Sequence, residues 1–112
     1  MKQFNQTYSI DSETIITQQI KVTNQERRSI RNLAIGVSAI SKDVVVVLRM
    51  GLDYADPTAY AVYTLTNPTV TSGETNIYQV NGYTVSWVQL TLTSSGLTDA
   101  DVVINPDFGG VL

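Results

Sequence analysis

The chain of 112 residues contains neither cysteine nor histidine. Without cysteine there is no disulfide framework and no thiolate chemistry, so nothing ties the fold to one redox compartment. Without histidine the chain lacks the commonest general base and the commonest metal ligand. Charged residues make up only 15% of the sequence, against a usual share of about 25%. Hydrophobic residues reach 43%, so the shortage of charge does not imply disorder. The polar surface must instead be built from Thr, Ser, Asn and Gln, and threonine suits the exposed face of a strand. No apolar run approaches the roughly 20 residues of a membrane-spanning helix. The opening Met1-Lys2-Gln3-Phe4-Asn5 lacks the apolar segment of a secretory signal. No stretch shows the period of a convincing amphipathic helix. These absences leave a single β domain, with no membrane partner and no secretion expected. A chain this short buries roughly 65% of its unfolded surface, enough for one modest core.

Charge is unevenly placed. All seven basic residues lie before residue 50, where four acids leave a net +3; the other six acids give −6 and the overall −3. The halves of a folded chain interleave, so pairing within one molecule is the favoured reading. The other is that the acidic surface of one copy meets the basic surface of the next.

The stretch that organises the rest is Asp43-Val44-Val45-Val46-Val47-Leu48-Arg49-Met50-Gly51. It is too short for a membrane span and reads as a strand. Alternate side chains of a strand point to opposite faces. Val44, Val46, Leu48 and Met50 share one face; Val45, Val47 and Arg49 share the other. Both faces are largely apolar, so each needs a cover: the core on one side, and a loop, an arm or a second subunit on the other.

Seven strands are expected, at about residues 14–23, 31–40, 43–50, 58–66, 75–80, 83–93 and 101–105. Leu33, Ile35, Val37 and Ala39 alternate cleanly, and Ser41-Lys42-Asp43 is short enough for a hairpin into the valine strand. Asn81-Gly82 predicts a second hairpin through a type I′ turn. Short strands separated by turn signals, without helices, predict an antiparallel β-sandwich, Ig-like or jelly-roll-like, with a barrel as the alternative. Residues 1–12 form a polar N-terminal arm, 13–105 the sandwich domain and 106–112 a tail.

Catalytic candidates are weak. Asp53 with Asp56, and Asp99 with Asp101, are the paired carboxylates, but all lie in or beside loops where Asp ordinarily turns the chain. Asp99, Asp101 and Asp107 match no calcium-loop spacing. Gly109-Gly110 has no helix after it, so no phosphate loop is present. Arg27, Arg28 and Arg31 make too thin a basic footprint for nucleic acid. No catalytic, cofactor-binding or metal-binding residue is expected, and the chain is not expected to be an enzyme.

Apolar side chains are the better lead. Tyr83, Val85 and Trp87 would form an exposed stripe if the pleat is unbroken; a bulge would turn Trp87 inward. With Val45, Val47, Phe108, Val111 and Leu112 they are the expected interface residues. Apolar residues on both faces of several strands exceed what one small core needs, which points to association with further copies. A carbohydrate- or surface-binding module, using Tyr54, Tyr83 and Trp87 as a platform for a glycan, is the alternative.

In its polar leader 1–12, its cysteine-free, threonine-rich strands 58–66 and 83–93, and its apolar tail 108–112, the chain resembles small virion proteins of tailed bacteriophages. Capsid decoration (cement) proteins and tail components are examples. The resemblance is one of overall character along the whole length. It implies a non-catalytic homo-oligomer that docks on another virion protein and is assembled in a host cytoplasm.

Overall fold

Val44, Val46, Leu48 and Met50 are all buried, and the residues between them are exposed or half-buried, so the valine run is a strand with one face in the core. The computed structural model describes residues 4–11, 13–18, 30–52, 60–82 and 85–108. These form nine strands: β1 (Phe4–Ile10), β2 (Glu13–Gln18), β3 (Ile30–Ala39), β4 (Val44–Gly51), β5 (Ala61–Tyr63), β6 (Thr69–Val70), β7 (Thr75–Val80), β8 (Trp87–Ser94) and β9 (Thr98–Phe108). Among the described residues there is no helix.

The strands make two antiparallel sheets that do not close into a barrel. One has the order β1-β9-β3-β7; the other has β2-β8-β4-β5, with β6 also paired to β4. From β1 to β4, and again from β7 to β9, successive strands lie in opposite sheets. The chain returns to its start, because β9 pairs with β1 from Ile10↔Thr98 to Phe4↔Ile104. Counting β5 and β6 as one interrupted strand, this is the eight-stranded jelly-roll arrangement of the β-sandwich.

Alternation explains the core between the sheets. Leu33, Ile35, Val37 and Ala39 of β3 and Ala100, Val102 and Ile104 of β9 face Val46 and Leu48 of β4 and Val88, Leu90 and Leu92 of β8, all buried. One end is tied by a bridge between sheets: Ile30 N donates to Val85 O at 2.8 Å, and Val85 N donates to Ile30 O at 3.0 Å.

Several expected boundaries and connections differ. Ser41-Lys42-Asp43 does not make a hairpin, because β3 and β4 lie in different sheets. The crossing is held by buried Thr98, whose hydroxyl accepts the N–H groups of Ser41 (2.9 Å) and Lys42 (3.2 Å). Asn81-Gly82 does not make a hairpin either: β7 pairs with β3, and β8 with β2 and β4. Of that pair only Gly82 has positive φ, 82°, whereas a type I′ turn needs it at both residues. Within 1–12, expected as an arm, Phe4–Ile10 is the edge strand β1, and Ile10 is fully buried. The last strand runs from Thr98 to Phe108, so it takes in the first residues of the expected tail. In the expected strand 58–66, only Ala61–Tyr63 pairs among the described residues. Residues 19–23 of the first expected strand lie outside the described residues.

Candidate functional site

The uncovered face of the valine strand is the first candidate. Val45, Val47, Arg49 and Gly51 alternate with the core residues of β4 and therefore lie on the outer side of the sheet. The register sets their neighbours. Thr93 lies beside Val45, Thr91 beside Val47, Gln89 beside Arg49 and Trp87 beside Gly51. On the other flank of β4, Val62 of β5 lies beside Arg49. Val45 is 40% exposed and Val62 59%. Val47 is half-buried, and Tyr60 and Leu52 are exposed.

Arg49 gives this face its only charge among the residues just named. Its Nη1 donates to Gln89 Oε1 and to Thr91 Oγ1, each at 3.2 Å. The guanidinium carbon lies 5.1 Å from the centre of the Tyr60 ring, within cation–π reach. Buried Nε has no hydrogen-bond partner among the described residues. Among the described residues no carboxylate pairs with this cation; it rests on neutral groups.

Trp87 corrects the expected aromatic stripe. It is on the outer side of β8, but only 1% exposed. Its indole lies over Gly51, where a side-chain Cβ would fall on Cε2, Nε1 and Cζ2 of the ring. Tyr60 meets it edge-on, with centroids 6.4 Å apart and planes at 65°. Val85 is also buried, but in the core cluster on the other side of the sheet. The alternation breaks at Ser86, whose N–H donates to Gly51 O (2.8 Å) and whose hydroxyl donates to Leu52 O (2.6 Å). Val85 and Trp87 therefore point to opposite sides of the sheet and are not an exposed stripe. Phe108 closes β9 opposite Ile30. Tyr54, Tyr83, Val111 and Leu112 lie outside the described residues, as do Asp53 and Asp56.

The outer side of the other sheet carries small residues along β3, with exposed Ile77 of β7 beside Gly36. Ala34, Gly36 and Ser38 of β3 are small and half-buried, beside Val103 and Asp101 of β9. Asp101 accepts a hydrogen bond from the Thr7 hydroxyl at 2.6 Å. Asp99 and Asp101 both lie on this side of a continuous strand, Asp99 exposed and Asp101 half-buried. Among the described residues no group of three or more acidic side chains is placed to hold a metal ion.

The second candidate is an open flank of the sandwich, where edge strand β7 faces the segment that follows β5. A groove of about 380 Å³ lies there, lined among others by Tyr63, Leu65, Asn67, Asn76, Tyr78 and Gln79. Asn67 has a left-handed backbone, φ 57°. Its carbonyl accepts from Tyr78 Oη at 2.9 Å and from Asn76 Nδ2 at 3.2 Å. Asn76 Nδ2 also reaches Thr69 O at 3.2 Å. These bonds fix one wall of the groove. Composition gave no sign of it, because it joins residues from two sheets.

No protein-family model matches the chain, and no curated protein matches it by sequence. Among solved structures it is similar to PirA, with a TM-score of 0.55 and 10% identity over 92% of this chain and 93% of that one. It is similar to the Yersinia pseudotuberculosis-derived mitogen, with a TM-score of 0.55 and 10% identity over 93% of this chain and 85% of that one. The Tobacco streak virus coat protein, solved as a dimer, overlaps more loosely, with a TM-score of 0.45 and 12% identity over 98% of this chain and 89% of that one. The first two share the fold at an identity that transfers no residue roles, and the third is too loose to bear on function.

Proposed function

We propose that the protein is a non-catalytic structural component that self-associates and docks on a larger assembly through the outer face of β4, β5 and β8. The observation that supports this is the second side of the valine strand. Val45, Val62, Tyr60 and Leu52 are left exposed together around a cation that meets no acid among the described residues. Apolar side chains of this kind rimmed by polar ones mark contact surfaces. Arginine and tyrosine are the residue types that most often dominate the energy of such contacts. A carboxylate from a second copy is the natural partner for Arg49, and Asp99 and Asp101 stand on the opposite sheet of the same molecule.

Within this reading the setting is a virion, and the resemblance to phage decoration and tail proteins makes it the favoured one. Light scattering coupled to size-exclusion chromatography tests the assembly claim. A homogeneous oligomer is expected, with Arg49→Met folding normally but associating more weakly and with less dependence on salt. A monomer at every concentration would defeat the proposal.

A further inference from the structure

We propose that the groove between β7 and the segment following β5 binds a neutral saccharide. This inference is independent of the assembly reading, because the groove lies on a flank and not on the outer face of β4. At about 380 Å³ the groove is of the size that holds small ligands. Its chemistry excludes most ligand classes. Among the described residues, no Asp, Glu, Lys or Arg lines it, so it offers nothing to a phosphate, a carboxylate or a metal ion. It offers neutral hydrogen-bonding groups beside apolar ones.

The polar wall is held in place before any ligand arrives. Asn76 spends its N–H donors on the carbonyls of Asn67 and Thr69 and on Tyr78 Oη. Among the described residues no donor reaches Asn76 Oδ1, so it remains an acceptor. The side-chain amide of Asn67 and the hydroxyl of Thr66 have no partners among the described residues either, and both residues are exposed. Half-buried Tyr63 supplies ring surface in the same groove, whereas Ile77 and Gln79 project to the outer side of the sheet, beside Gly36 and Ala34. A sugar presents hydroxyls that both donate and accept, together with C–H faces that pack on rings. Amides that donate and accept, beside a tyrosine and with no charge, match that combination. Of the expected aromatic platform, Trp87 does not supply it, because it is covered, and Tyr54 and Tyr83 lie outside the described residues.

Nuclear magnetic resonance titration of the ¹⁵N-labelled chain with lactose, maltose and N,N′-diacetylchitobiose tests the assignment. At least one of the three is expected to shift amide signals within residues 63–67 and 75–79, with a Kd of roughly 1 mM. Thr66→Ala, at an exposed position whose hydroxyl has no partner among the described residues, is expected to weaken binding roughly fivefold, as for the loss of one hydrogen bond, with an unchanged Tm. Three results would overturn the proposal. One is no localised shift with any of the three sugars up to about 50 mM. Another is undiminished binding by Thr66→Ala. The third is a shift of the β7 signals with protein concentration alone, which would mean that a second copy's strand occupies this edge.

Discussion

Gly51 is where the outer face is most tightly built. Any side chain there falls on the Trp87 ring, and the ring is held from above by Tyr60. Gly51→Ala must push the indole aside, and overpacking of this kind costs about 1–3 kcal/mol. Chemical denaturation should show that loss, and the Trp87 emission should shift to the red as the ring is uncovered. A second residue-scale effect concerns pH. Burial raises the pKa of Tyr8 above the ordinary 10.0. Above the unfolded value the folded state therefore keeps a proton that the unfolded state has lost, so stability falls as pH rises. The contribution is complete below about pH 10 and disappears as pH climbs through the raised folded value. Urea midpoints measured from pH 8 upward should decline across that window, and Tyr8→Phe should flatten the decline.

At the scale of elements, strand identity was written in the sequence far more clearly than strand partnership. The alternation of Leu33, Ile35, Val37 and Ala39, and that of Val44, Val46, Leu48 and Met50, marks β3 and β4 almost to the residue. Alternation says which side chains point inward, but not which strand lies alongside. Asn81-Gly82 and Ser41-Lys42-Asp43 are short connections that fit a hairpin. They fit a crossing between sheets as well, and the core formed between sheets decides in favour of the crossing. The polar leader hid β1 for a related reason. An edge strand with one partner needs few apolar residues, and Ile10 and Tyr8 suffice to fasten this one. Ile10→Ala should therefore cost about 2–5 kcal/mol, as for a core residue, where an unattached arm would show no loss. Thermal unfolding of that single variant separates the two. The candidate surfaces were legible in part. Five apolar side chains in succession foretold the exposed Val45, whereas the cover over Trp87 depends on Tyr60, 27 residues earlier.

The whole molecule is a sandwich of 42 × 24 × 22 Å with unlike sides. One sheet turns outward Ala34, Gly36 and Ser38 with Asp99, Asp101 and the exposed Ile77; the other turns outward valines, Tyr60 and Arg49. The uneven distribution of charge along the sequence is thus partly kept in space, at least for these residues. That polarity suits contacts between unlike faces of successive copies, which close into rings or run on into filaments. Because the chain has no cysteine, one introduced thiol reports on the β4 face without interference. The most direct measurement is the rate at which Val62→Cys reacts with a maleimide, followed from dilute to concentrated protein. Assembly through this face predicts a thiol that reacts freely in dilute solution and becomes protected as concentration rises, while Ser95→Cys, in the exposed turn between β8 and β9, changes less. A rate at Val62→Cys that stays constant over the whole range, in a folded protein, would contradict the account.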